Sequence, residues 1–257
     1  MKKLLATACL AASLPMTAQA DLLFTVGGSA NYWNVDPSGQ VTDELSIEKD
    51  GLNLDSTGAN QLQVFVEHPV PVLPNVQISN TGLKLDGNGK TDFTFLDRDF
   101  EGQTDTVLDV SHTDYTLYWG LPLPIPFVDI NFGLTGRQFS GEVSVEGSAT
   151  VGGNTQVTEE KEDLNFIVPM GYLDVDIDTP FGVYGYANVN YIGMGGNSLS
   201  DTAFAIGYQL PIPVVDLGIE VGQRSMNLKT DDDLTDNLAT DIELSGLFYG
   251  LSLSVGL

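Results

Sequence analysis

The sequence contains a single cysteine, Cys9, among 257 residues. It lies in an apolar leader, so no disulfide can staple the chain that follows. An exported protein of this size without disulfides needs a large core or a closed sheet. Cys9 is also a poor site for lipid attachment, because the apolar run before it is short and Ala6 stands where a leucine is usual. Basic side chains are scarce too. Removing Lys2 and Lys3 from the 10 basic residues leaves 8 against 35 acidic ones, a net charge of −27. Nucleic acid is thereby excluded as a partner, since phosphates would be repelled. Beyond the leader no run approaches 18 apolar residues, which excludes a membrane-spanning helix. Helical periodicity is nearly missing, and only two histidines, His68 and His112, follow the leader.

The leader itself has Lys2 and Lys3, an apolar stretch from Leu4 to Leu14, and a small-x-small site at Ala18-Gln19-Ala20. That pattern predicts a secretory signal peptide over residues 1–20, with one domain over 21–257.

What the rest of the chain does have is alternation. Leu22, Phe24, Val26, Gly28, Ala30 and Tyr32 share one face of a predicted strand, and Thr25, Gly27, Ser29 and Asn31 share the other. The same period of two returns around Leu62–Val66, Asn75–Leu85, Tyr115–Leu121, Val128–Leu134 and Leu173–Ile177. It recurs at Val183–Tyr191, Phe204–Leu210, Val215–Val221 and Leu247–Leu257. Ten strands follow. Between them a proline device repeats: Leu123-Pro124-Ile125-Pro126-Phe127-Val128-Asp129 and Leu210-Pro211-Ile212-Pro213-Val214-Val215-Asp216, with looser copies at Pro69-Val70-Pro71 and Pro180. Proline fixes φ and has no N–H to donate, so these segments belong in reversals between strands. The other connections read as longer polar, acidic loops: Asp36–Asn60, Asp86–Asp109, Gly141–Asp163 and the one carrying Asp231-Asp232-Asp233.

Strands of 9–11 residues with alternate short and long connections, and small or acidic residues opposite the apolar face, are the pattern of an outer-membrane barrel. The predicted fold is an all-β, antiparallel, up-and-down transmembrane β-barrel of about ten strands, with the proline turns on the periplasmic side. Trp33, Trp119, Phe127, Phe139, Phe181, Tyr191 and Tyr208 fall near strand ends and are expected in the interfacial girdles. A periplasmic β-sandwich is the competing reading of the same alternation.

Three features carry a resemblance: Leu22 to Trp33 with Gly27-Gly28, the P-x-P turns, and the alternating end from Gly250 to Leu257. The chain resembles the small, largely uncharacterised outer-membrane β-barrel proteins of Gram-negative gammaproteobacteria (Gly-Gly type). It is more loosely similar to OmpW-type barrels, which implies carriage of small hydrophobic molecules. It departs in ending on Leu257 where an aromatic residue is typical. The resemblance implies outer-membrane lipid, lipopolysaccharide and the barrel-assembly machinery as partners, and it transfers no site residue.

The candidate lumen residues are Asp129, Arg137, Asp174, Asp176, Asp216, Glu220 and Arg224. Two readings stand: a narrow pore or binding barrel for small solutes, or a structural or surface-interaction barrel whose acids and arginines pair and fill the interior. No cofactor is expected. Asp231, Asp232 and Asp233, and the cluster Glu159–Asp163, are weak candidates for loosely held Ca²⁺ or Mg²⁺ bridging to lipopolysaccharide phosphates. A rim-site hydrolase is a third reading. Ser111-His112-Thr113-Asp114 puts His112 and Asp114 on one strand face as a base and an orienting carboxylate, with Ser111 facing away.

Overall fold

The computed structural model of the protein describes residues 24–42, 45–48, 51–90, 92–95, 98–151, 154–230 and 241–256. The leader and Asp231, Asp232 and Asp233 lie outside the described residues. Along the chain run β1 (Thr25–Thr42), β2 (Leu45–Ser46), β3 (Thr57–Glu67), β4 (Asn75–Gly82), β5 (Lys84–Lys90), β6 (Phe93–Phe95), β7 (Arg98–Asp109) and β8 (His112–Gly120). They are followed by β9 (Val128–Phe139), β10 (Gly141–Val151), β11 (Asn154–Leu164), β12 (Ile167–Asp178), β13 (Val183–Met194), β14 (Asn197–Leu210), β15 (Asp216–Lys229) and β16 (Asp241–Gly256).

Ten of these form a closed antiparallel barrel in the order β1-β3-β4-β8-β9-β12-β13-β14-β15-β16. Pairing of β1 with β16, from Thr25↔Gly256 to Gln40↔Asp241, closes it. Closure leaves no unpaired edge, which is the condition for a sheet in hydrocarbon. The outer surface follows the period of two: Val64 (59% exposed), Leu134 (67%) and Leu251 (55%) face outward. Trp119, Phe127, Phe181, Tyr191 and Tyr208 are on the outside or at a turn, as girdle residues would be. Trp33 and Phe139 are not. They are 0% and 6% exposed, inside the barrel, because Trp33 shares the strand face of Asn31 and Phe139 that of Arg137.

The two full proline turns are built alike. Ile125 N donates to Leu123 O at 2.9 Å, and its counterpart Ile212 N donates to Leu210 O at 2.7 Å. The matched residues Phe127 and Val214 then take positive φ, 64° and 74°. For a bulky or β-branched side chain that is strained backbone, and it is held identically in both copies.

The expected long loops Asp86–Asp109 and Gly141–Asp163 are strands instead. β5, β7, β10 and β11 form a second sheet in the order β11-β10-β7-β5, with β6 paired to β7. That order repeats β12-β9-β8-β4 below it, because each barrel strand runs on into its outer counterpart. Only Leu83 separates β4 from β5, and only Ser140 separates β9 from β10. The ladder survives the bend: Val110 N donates to Leu83 O at 2.9 Å and Ser140 N to Ser111 O at 2.9 Å.

The polar stretch Asp36–Asn60 also departs from expectation. β1 continues to Thr42, and the chain then folds inward, placing Leu45, Ile47, Leu52 and Leu54 in the core. This inner strap lies against β5, with Asp55 N donating to Asp86 O at 2.9 Å. Gly87 and Gly89 allow the approach, since a Cβ on Gly89 would sit 2.1 Å from Gly51 O and one on Gly87 2.7 Å from Leu52 O.

Candidate functional site

Strand alternation sends every second side chain into the lumen, and in a barrel of this size those side chains can nearly fill it. Three layers result. Uppermost, Trp33, Val35, Ile47, Leu83, Leu85 and Leu244 are at most 2% exposed and pack with the strap. This is a dry apolar core inside a barrel mouth.

Beneath it lies a charged layer. Arg137 on β9 donates through Nε and Nη2 to both oxygens of Asp114 on the neighbouring β8, at 2.8 and 2.7 Å. Its Nη2 also reaches Asp201 on β14 at 2.6 Å. Arg224 on β15 donates through Nε and Nη2 to Asp201, at 2.9 and 2.6 Å. It then crosses the lumen to Thr81 Oγ1 on β4 at 3.1 Å and to His112 Nε2 on β8 at 3.3 Å. In the circular order β8 and β15 are diametrically opposed, so this one side chain spans the barrel. Its guanidinium carbon also stands 4.8 Å from the Trp33 ring centroid, a cation–π contact that ties the charged layer to the apolar one. Two guanidiniums face two carboxylates, every one at most 7% exposed.

His112 completes this layer. Its Nδ1 lies 2.8 Å from Val110 O, which fixes Nδ1–H as donor and leaves Nε2 to accept from Arg224. The ring is 0% exposed, so the histidine expected at the rim is buried. Asp114 has both oxygens on Arg137, so it does not orient His112. Ser111 Oγ accepts from Leu83 N at 3.0 Å. Donor atoms of His112, Asp114 and Asp201 converge within 4.8 Å, a spacing a metal ion could use. Arg137 and Arg224 already neutralise those two carboxylates, so a cation there would have to displace a guanidinium.

The third layer lines the turn-side half. Tyr118 Oη donates to Glu67 at 2.9 Å, and Asn131 Nδ2 to Asp174 and Asp176 at 3.1 and 3.3 Å. Tyr184 and Tyr186 donate to the two oxygens of Glu220 at 3.0 and 3.1 Å. Asp129 and Asp216 begin their strands at the proline-turn end and are exposed. The seven candidate lumen residues thus divide. Arg137 and Arg224 join the charged seal, while Asp129, Asp174, Asp176, Asp216 and Glu220 belong to the turn-side half. The strap and Asp201 escaped sequence reasoning. Asp201 was legible by parity, because Phe204, Ile206 and Tyr208 face outward and position 201 therefore faces in.

No family model matches the chain, and no curated protein matches it. Solved structures do. The outer-membrane protease OmpT from Escherichia coli is 10% identical over 91% of this chain and 96% of its own, with a TM-score of 0.48. Neisserial surface protein A is 10% identical over 91% and 97%, with a TM-score of 0.27. A FadL homologue from Pseudomonas aeruginosa is 9% identical over 91% and 90%, with a TM-score of 0.33. The fold assignment rests on the strand pairing above and not on these likenesses.

Proposed function

We propose that this protein is an integral outer-membrane β-barrel with a sealed lumen that acts at the cell surface through its outer sheet, and not as a passive pore. The observation that carries this reading is the lumen-crossing bond set of Arg224, with Arg137, Asp114, Asp201 and His112 beneath a dry core. Opening a path would uncover buried charge, and breaking a buried ion pair costs about 3–5 kcal/mol. The strap carrying Leu45, Ile47, Leu52 and Leu54 would also have to leave its packing.

The outer sheet supplies the interaction surface. On its exposed face Asp105, Glu146 and Glu159 stand directly opposite one another across β7, β10 and β11. Like charges directly opposite destabilise a sheet, and Lys161 Nζ, 3.0 Å from Glu159, answers only part of the row. Asn88 also bonds to Asp105. A cationic partner relieves this repulsion, including divalent ions bridging to lipopolysaccharide phosphates.

Two readouts test the proposal. Refolded protein in liposomes should admit a small sugar no faster than protein-free liposomes do, and fast swelling sinks the seal. For the surface role, Val157→Cys in the exposed outer sheet should react with a membrane-impermeant maleimide on intact cells, and Phe181→Cys at a proline turn only after permeabilisation. The reverse pattern sinks the orientation.

A further inference from the structure

We propose that the turn-side half of the lumen is a blind vestibule that binds a linear organic polycation of the polyamine class, between carboxylates at its mouth and Glu220 at its floor. This goes beyond the surface role and depends on the sealed lumen only for the vestibule's being blind.

Charge comes first. Asp129, Asp178 and Asp216 are exposed at the mouth, and Glu67 and Asp176 are half-buried further in. Asp174 and Glu220, each 7% exposed, are deepest. Asp178 is close enough to Asp129 and Asp216 for their charges to act on it. Among the described residues no lysine or arginine lies in this half: Lys84, Lys90, Arg98 and Lys161 are in the outer sheet, Arg137 and Arg224 are in the seal, and Lys229 ends β15 at the far end. His68 is tied to its own turn, its Nδ1 accepting from Val70 N at 3.2 Å and its Nε2 meeting Pro74 O at 3.1 Å.

An independent observation points the same way. Asn31 is 7% exposed on the lumen face of β1, and its Oδ1 has no hydrogen-bond donor. A buried acceptor left unpaired costs about 1–3 kcal/mol. That oxygen lies over Gly250, where a Cβ would stand 1.7 Å away, and Gly250 is the register partner of both Asn31 and Glu220. The floor therefore offers an anion and a buried, unpaired acceptor, which suit the N–H groups of an ammonium.

Shape separates an extended cation from a single ion. Among the described residues, three ligand atoms of His, Cys, Asp or Glu converge only at His112, Asp114 and Asp201, which are in the seal. The vestibule acids are instead strung along the axis. Asp216 and Glu220 are four residues apart on one strand, about 13 Å. That is too far for one ion to bridge, and it spans several amines of an extended chain. The rings of Tyr118 and Tyr172, centroids 6.0 Å apart, line the same space and provide π faces for a cation.

The test is calorimetric titration of spermine into refolded full-length barrel without its leader, with calcium chloride as the second arm. Spermine should bind, and Glu220→Gln and Asp174→Asn should each weaken it about tenfold or more. Asn31→Leu should weaken it too while leaving heat-modifiable mobility intact, since it removes an acceptor that no donor holds. Glu243→Gln, exposed on β16 and outside both the lumen and the outer sheet, should leave spermine binding unchanged. Absence of spermine binding overturns the proposal. So does binding that Glu220→Gln leaves untouched, or calcium binding more tightly than spermine at these residues. A barrel that conducts yet binds spermine through Glu220 contradicts the seal alone, and a silent barrel that ignores spermine contradicts this proposal alone.

Discussion

The two halves of the lumen share one backbone pattern and fill it in opposite ways. The outer half sets Arg137 and Arg224 against Asp114 and Asp201, with a neutral His112, and caps them with an apolar core. The turn-side half holds carboxylates answered by phenols and amides, as where Tyr184 and Tyr186 bond Glu220. The first is complete in itself and resists opening. The second carries more negative charge than its own side chains offset. Charge that balances within a layer reads as structure, and charge that does not balance reads as a place for a counter-charge.

Substitutions can break this comparison. The largest effect is expected from Arg224→Met, which leaves Asp201 buried with one cation fewer and uncouples β15 from β8. It should destabilise by about 3–5 kcal/mol, seen as a fall in the urea midpoint of heat-modifiable mobility. Pairing Arg137→Met with Asp114→Leu should cost much less than Arg137→Met alone, because no charge is stranded. Next, Ile47→Ala in the strap should cost about 2–5 kcal/mol by leaving a cavity in a core that is 0% exposed at that point. In the other half the sign should reverse. Asp176→Asn removes one of two carboxylates sharing the Asn131 amide, and is expected to be neutral or stabilising by up to about 1 kcal/mol. Loss of more than about 1 kcal/mol there would mean that the acids are structural after all. Smallest of all, Glu146→Gln on the outer sheet should stay within about 0.5 kcal/mol.

Much of the barrel was legible in the sequence, and the reasons mark where reading stopped. Alternation is a direct print of strand geometry, so the strands around Tyr115–Leu121 and Phe204–Leu210 announce themselves and their faces. The proline repeats mark one end of the barrel, since no paired strand tolerates them. The outer strands hid because β11 carries polar and acidic residues on both faces, and β10 sets only small or β-branched residues against Glu142, Ser144 and Glu146, a composition that reads as a loop. The strap hid for a different reason. Leu45, Ile47, Leu52 and Leu54 follow no period, being buried through contacts with Leu85, Gly87 and residues still further along. Trp33 was misread although parity gives it away, because Tyr32 faces outward and its neighbour must face in. Site residues were legible as inward positions, but their partition into a seal and a vestibule was not. Arg224 meets His112 across 112 positions of sequence, and only the closed circle brings them together.

Single-channel recording on refolded protein in planar bilayers tests the central claim most directly. A sealed lumen predicts a flat trace for the unaltered chain at every voltage, with current steps appearing once Arg224→Met and Ile47→Asp together breach the charged and apolar layers. Reproducible steps from the unaltered protein would contradict the account.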